Sequence, residues 1–374
     1  MWVRLMEYTK IKNINEYVSE SVSPMNTPEQ IFEMYSVPIY STGHPEYLHG
    51  NEIASNKVKV RKNDVLLCKI NPRINRVWIV ADESAYPCIA SSEWIVIRNS
   101  EYNPEFLAWY FRSPKFKQLM TSEVTGIGGS LTRAQPKAVA EYPVPVIERQ
   151  EQDVITEILN KIYNIIDARR REINILDDLI KARFVEMFGD PITNPMGWKK
   201  EETNKHIDLL SGYPFKSEQY VEDGINICGG LTIMPQRIEW DNCVHWPSLE
   251  GYEEYLLNEG DIVMALDRPW ITEGFKVARI DANHLPALLI QRTARIRAID
   301  IDQDYLYYCF INGGFDKHSN VTGSLVPHIS AKDIRSFEIM IPPVELQKEF
   351  SLFMKQVDKS KVAAQIFIEE AEKI

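Results

Sequence analysis

The chain has 374 residues, of which 44% are hydrophobic and 25% charged, a globular composition long enough for two domains. A net charge of −11 argues against indiscriminate coating of nucleic acid. No apolar run is long enough to span a membrane and none near the first residue resembles a signal peptide, so no membrane partner and a cytoplasmic location are expected. The five cysteines are odd in number and form no C-x-x-C pair, so neither a disulfide framework nor a zinc knuckle is indicated and buried free thiols are predicted. No metal and no cofactor are expected.

In chain order, residues 65–70, 76–80 and 94–97 read as short strands, and 104–120 as an aromatic-rich helix. Residues 148–188 contain neither Gly nor Pro. Ile155, Leu159, Ile162, Ile166, Ile173, Leu176, Ile180, Phe184 and Met187 fall there mostly at alternating steps of four and three, the seam of a coiled coil, interrupted at Arg169. Such a helix would be roughly 60 Å long. It should stop at Gly189-Asp190-Pro191, with Asn194-Pro195 and Gly197 following. Residues 262–266, 276–280 and 293–297 read as strands again, 303–311 as a second aromatic helix, and the last thirty residues as another seam (Leu346, Phe350, Phe353, Val357, Ser360, Ala364, Phe367, Ala371, Ile374).

These elements repeat at a period near 197. Val60-Arg61-Lys62-Asn63-Asp64-Val65-Leu66-Leu67 matches Leu257-Asn258-Glu259-Gly260-Asp261-Ile262-Val263-Met264, and Pro72 matches Pro269. Phe106 to Phe111 answers Tyr305 to Phe310, and Phe116 answers Phe315. Gly128-Gly129-Ser130-Leu131 answers Gly323-Ser324-Leu325, and Tyr142-Pro143-Val144-Pro145, closing at Gln150, answers Ile339-Met340-Ile341-Pro342, closing at Gln347. The segments leading into the copies differ, Ser36-Val37-Pro38-Ile39-Tyr40 standing against Ser211-Gly212-Tyr213-Pro214-Phe215-Lys216. The expected architecture is α+β. Two similar mixed domains, 1–147 and 191–344, are separated by two long antiparallel coiled-coil helices, 148–190 and 345–374, about a pseudo-two-fold axis. The first copy carries sixteen basic and fifteen acidic side chains and the second fourteen and twenty-two, so neither is basic at domain scale.

Arg183-Phe184-Val185-Glu186-Met187-Phe188-Gly189-Asp190-Pro191-Ile192-Thr193-Asn194-Pro195, ending at Gly197-Trp198, resembles the end of the central conserved helix in specificity subunits of type I restriction–modification systems. The Gly-Ser-Leu and Pro-x-x-x-x-Gln signatures extend the resemblance over nearly the whole chain. It implies a non-catalytic reader. Each copy would be a target recognition domain bound to half of a bipartite site in double-stranded DNA, and the helices would dock methyltransferase (M) subunits, with a restriction (R) subunit joining the complex. The C-terminal helix departs from the pattern, being shorter than the central one and lacking a second Arg-Phe-x-Glu-Met-Phe-Gly-Asp.

Within that frame, Lys69-Ile70-Asn71-Pro72-Arg73-Ile74-Asn75-Arg76 is the strongest basic loop. Arginine pairs bidentately with guanine and asparagine with adenine, which makes Lys69, Asn71, Arg73 and Arg76 candidate DNA contacts. The matching loop offers Arg268 and Trp270. The Gly-Ser loops offer Ser130, Thr132 and Arg133 in the first copy and Ser324 and His328 in the second, because glycine lets backbone N–H groups approach phosphate and hydroxyls donate to it. Lys216 and Arg292 complete the set. The aromatics at 106–111 and 305–310 are expected in the core rather than stacked on bases. No P-loop, Asn-Pro-Pro-Tyr-like tetrapeptide, nucleotide fingerprint or nuclease cluster occurs, so no catalytic residue is expected. Two readings compete with the reader: a stand-alone or fused DNA-modifying enzyme, and a helical scaffold that binds no DNA.

Overall fold

The structure is a computed structural model that describes residues 7–373 apart from Asp82, Glu123, 126–131, Asn242 and 320–326. The chain divides into two units, Met1–Ile165 and Ile166–Ile374.

In the first unit a three-stranded sheet places Val65–Cys68 between Val77–Ile79 and Trp94–Ile97. Both pairings are antiparallel, with Leu66 opposite Trp78 on one side and Val96 on the other. The middle strand is buried at every residue because both of its faces are covered. Val65, Leu67, Val77 and Ile97 point to one cluster with Phe106, Leu107 and Phe111 of helix α1 (Pro104–Arg112). Leu66, Cys68, Trp78, Trp94 and Val96 point to another around Tyr35, as the two-residue period of a strand requires. A second, five-stranded sheet orders Ser21–Val22, Lys57–Lys59, Cys88–Ala90, Ile31–Tyr35 and Glu46–His49. The single helix expected over 104–120 is two, Pro104–Arg112 and Pro114–Ser122. Pro114 ends the first, since the residue before a proline is pushed out of the helical region; Ser113 has ψ 148.

The second unit repeats this plan. Its four-stranded sheet runs Ile207–Ser211, Thr293–Ala298, Ile262–Ala265, Val277–Arg279. Ile262, Met264, Val277 and Ile296 face the fully buried Tyr305, Leu306 and Phe310 of helix α3 (Gln303–Asn312), and Val263, Ala278 and Ile280 face the opposite cluster with Cys228. The aromatic rows are therefore core, as expected. Phe111 meets Phe116 at 4.8 Å between ring centroids and Phe310 meets Phe315 at 5.3 Å, so that part of the repeat holds in space.

Two details of the repeat differ from the sequence alignment. Gln152, rather than Gln150, is the counterpart of Gln347. Gln152 accepts the Asn103 N–H through Oε1 at 2.8 Å and donates to the Ile147 carbonyl at 2.7 Å, and Gln347 accepts the Asp302 N–H and donates to the Pro342 carbonyl, both at 2.8 Å. Asn103 and Asp302 in turn cap α1 and α3, each accepting two backbone N–H groups of its helix. The counterpart of Ser36–Tyr40, by number 36–40, begins at Gly229 rather than Ser211. Parallel pairing sets Tyr35 against Ala90 and Cys228 against Leu289, which makes position 36 equivalent to 229.

Helix α2 (Arg149–Phe188) is unbroken, within one residue of expectation, and helix α4 spans Val344–Ala371. In the first unit, Asn160 of α2 accepts from Trp109 Nε1 at 2.8 Å and Ile155 packs on the core. In the second unit α2 packs on α4. Arg170 pairs with Glu372, Asp177 with Lys361 and Arg183 with Glu349, so residues rising along one helix meet residues falling along the other and the two are antiparallel. Ile166, Ile180, Phe184 and Met187 of the seam are buried, as are Phe350, Val357 and Ala364 opposite. Arg169 interrupts the seam by lying over the Phe367 ring at 5.6 Å and pairing with Glu172.

The stop after α2 has a local cause. Gly189 has φ +78, and a Cβ there would meet the Pro195 ring at 2.9 Å. Asp190 Oδ1 then accepts the Ile192 and Thr193 N–H groups at 2.9 and 2.8 Å, and Trp198 Nε1 donates back to the Phe188 carbonyl at 3.0 Å.

Candidate nucleic-acid interface

The loops after Val65–Cys68 and Ile262–Ala265 share one anchor. Asn71 and Arg268 both adopt left-handed backbone, φ 48 and 45, immediately before a buried proline, Pro72 and Pro269. A residue before proline is disfavoured in the right-handed helical region, and asparagine tolerates the left-handed one better than arginine does. Such a conformation costs on the order of 1 kcal/mol and persists only where its surroundings fix it. Here the closing segment fixes it. The Asn71 N–H donates to the Thr132 carbonyl at 2.8 Å and the Ala134 N–H to the Lys69 carbonyl at 2.9 Å. The Arg268 N–H donates to the Pro327 carbonyl at 2.7 Å and the Ile329 N–H to the Leu266 carbonyl at 2.9 Å. Bridges Ile70↔Arg133 and Asp267↔His328 complete the two matching anchors.

Beyond the anchor the loops part. In the first unit Pro72–Ile74 forms a 3-10 turn closed by Asn75, again left-handed at φ 52, before the strand Val77–Ile79. In the second, Trp270–Ile271 and Gly274–Phe275 form a hairpin in which Trp270 stacks on Phe275 at 4.8 Å. Trp270 is half-buried against the core, so only part of its ring is open to a ligand.

The candidates of the first unit come together. Lys69 Nζ donates to the Ser92 carbonyl at 2.6 Å, Arg133 pairs with Glu93 at 3.1 Å, and Thr132 holds Asn71 through its carbonyl. Arg73 is exposed and Arg76 half-buried, and among the described residues neither makes an ion pair. In the second unit Asp267 gathers Arg292, whose guanidinium pairs with it at 3.0 Å, and His328, bridged to it through the backbone. Arg268 lies exposed beside them. Lys216 is exposed, and among the described residues no hydrogen bond or ion pair ties it to this group. Ser130 and Ser324 lie outside the described residues. Burial pushes the Lys276 ammonium below its ordinary pKa and nearby Arg268 pushes the same way; Lys276 donates to the Gly230 carbonyl, which marks it as structural.

Loop composition does not single out Ile74 or Asp267. Two further arginines near Arg292, on the strand Thr293–Ala298, are used internally. Arg295 pairs with Asp208 at 2.8 Å, and Arg297 with Asp261 at 2.6 Å.

Residues 229–369 match the family model described as type I restriction modification DNA specificity domain. The chain is 24% identical over 377 residues to the type I restriction enzyme MjaVIII specificity subunit of Methanocaldococcus jannaschii, covering 94% of this chain and 86% of that protein. It is 33% identical over 178 residues to the EcoAI specificity subunit of Escherichia coli, covering 45% of this chain and 29% of that protein. A chain from a structural study of the assembly and conformational transition of a type I restriction–modification system superposes with a TM-score of 0.57 at 17% identity, covering 98% of this chain and 95% of that one, which shows a shared fold. Helix-end motif, twofold repeat and relatives agree: the chain is similar over most of its length to specificity subunits of type I restriction–modification systems, and residues 229–369 match their DNA specificity domain.

Proposed function

We propose that this chain gives a type I restriction–modification complex its DNA sequence specificity. Residues 1–147 and 191–344 serve as target recognition domains, each binding one half of a bipartite, asymmetric site in double-stranded DNA. The helices over 148–190 and 345–374 are spacers that dock methyltransferase subunits, a restriction subunit joins the assembly, and the chemistry is done by those partners. A DNA target makes the cytoplasm the expected location.

The carrying observation is the repeated anchor with unlike tips. Two modules that hold a loop by the same bonds at Asn71 and Arg268, yet present a 3-10 turn in one case and a hairpin in the other, suit the reading of two different half-sites. DNA presents the same face about every 10.5 bp, so paired readers favour a fixed spacing. Docking is supported by the helix pair of the second unit, which buries Ile166, Ile180, Phe184, Phe350, Val357 and Ala364 of its seam yet leaves Ile175, Leu179, Val362 and Ile366 exposed.

The chain is co-expressed with its methyltransferase subunit, and methylated bases are mapped by single-molecule sequencing. One bipartite sequence is expected. Methylation scattered over unrelated sites would overturn the reading.

A further inference from the structure

We infer that Ile74 is a specificity-determining residue that reads the C5-methyl group of a thymine. This rests on the DNA-reading function proposed above and deepens it.

Ile74 is a large apolar side chain left 50% exposed at the tip of a loop whose other exposed member is Arg73. Its position is fixed from both sides. The Ile74 N–H donates to the Asn71 carbonyl at 3.0 Å and the Asn75 N–H to the Pro72 carbonyl at 2.9 Å, so the tip is closed between two left-handed asparagines. Asn75 Nδ2 is tied to the Arg112 carbonyl at 3.1 Å and the Asn71 N–H to Thr132, which pin the turn to the body of the unit. The carboxamide oxygens of Asn71 and Asn75 are buried with no hydrogen-bond partner among the described residues, so both asparagines serve the shape of the turn at the expense of a hydrogen bond to that oxygen.

A turn so fixed presents Ile74 between the cations Arg73 and Arg76. Phosphate and the polar base edges are served by arginine. The one apolar group on a base edge in the major groove is the thymine methyl, and the group that complements it is a rigidly held aliphatic side chain. At the matching place the second unit has the half-buried Trp270–Ile271 strand rather than an exposed aliphatic tip, so the reading belongs to the first unit.

The complex with its methyltransferase is assembled and its target taken from the methylation map. Binding is measured on a target duplex, a scrambled duplex, and target duplexes in which each thymine in turn is replaced by deoxyuridine, which lacks only the methyl group. One replacement is expected to weaken the wild-type complex by about three- to fivefold, the worth of one buried methyl. Ile74→Ala should weaken binding to the thymine duplex by a similar factor and be indifferent to that replacement. The residue is exposed, so the variant is expected to fold. The inference is overturned if no replacement affects the wild type, if the target contains no thymine, or if Ile74→Ala keeps the wild-type response. A wild-type complex that binds target and scrambled duplex alike would overturn the DNA-reading function and this inference with it, whereas target preference without any thymine response overturns this inference alone.

Discussion

Arg98 closes a two-pronged ion pair on Asp64, with Nε to Oδ1 and Nη2 to Oδ2 both at 2.7 Å. Asp64 has a side chain only 1% exposed and also accepts the Arg61 N–H at 2.9 Å. The second unit repeats every bond: Arg297 reaches Asp261 at 2.6 and 2.7 Å, and Asp261 accepts the Asn258 N–H at 2.7 Å. Each pair ties the turn before the central strand to the end of its neighbour, and so sets the register from which the candidate loop emerges.

Removing one partner of such a pair is costlier than the pair's net worth, because it strands the other charge. Asp64→Ala leaves the Arg98 guanidinium and the Arg61 N–H without an acceptor. A loss of about 3 kcal/mol is expected, at the low end of the buried range since Arg98 is 20% exposed. Urea unfolding of wild type and variant measures it. A loss under about 1 kcal/mol would class the pair with ordinary surface ion pairs.

Periodicity and local chemistry were sufficient for the elements nearest in sequence. The four-three seam locates α2, and Gly189-Asp190-Pro191 locates its end, because both signals act within a few residues. What joins distant residues was illegible. Asp64 and Asp261 show in the sequence only as matching positions of the repeat, since Arg98 and Arg297, which pair with them, stand more than thirty residues away. The Gln152 register, the parallel strand pairs and the Asp267 cluster depend likewise on pairings that no local pattern encodes. In the candidate interface, composition proposes Asn71 and Arg73 as contacts but could not show that a fixed turn leaves Ile74 at the tip.

Acid should weaken the second unit through Glu201. Lys199 first, then His206, holds its carboxyl down at about 2 against an ordinary 4.5, and Lys205 adds to this. The folded pKa is lowered, so the stabilisation is fully present above about pH 4.5 and is lost as pH falls towards 2. His206 also meets Asp300 at 2.7 Å, so the imidazole joins two carboxylates. The difference in urea midpoint between wild type and Glu201→Gln should be constant above pH 4.5 and shrink to nothing near pH 2. A difference that grows on acidification contradicts the assignment.

Arg73 and Lys69 should fail in different ways. Arg73 stands at the tip without an ion pair among the described residues, and its loss as Arg73→Ala should cost about 1–3 kcal/mol on the preferred sequence and relax the methylation pattern at one base pair. Lys69 lies at the anchor, its carbonyl accepting the Ala134 N–H, and Lys69→Ala should weaken binding to all sequences alike while lowering the salt slope by about 0.9. Salt titrations and methylation maps of the two variants separate these outcomes. Equal effects in both measurements would remove the distinction between tip and anchor.

The exposed residues of the helix pair should matter to assembly and not to folding. Ile175 and Leu179 on α2 are 66% and 45% exposed although Ile180 of the seam is buried, and Val362 and Ile366 on α4 are 58% and 55% exposed although Ala364 is buried. An apolar side chain that folding leaves in water gains nothing for the isolated chain, but contributes when a partner helix covers it. Leu179→Arg should therefore leave the urea midpoint within about 0.5 kcal/mol of wild type and abolish co-purification with the methyltransferase subunit. Phe184→Ala provides the contrast. Its ring is buried against Phe188, Tyr305, Tyr308 and Phe350, and its removal should cost about 3–5 kcal/mol of stability before any partner is added. If Leu179→Arg destabilises the chain as Phe184→Ala does, that face is core; if it binds methyltransferase normally, docking takes place elsewhere.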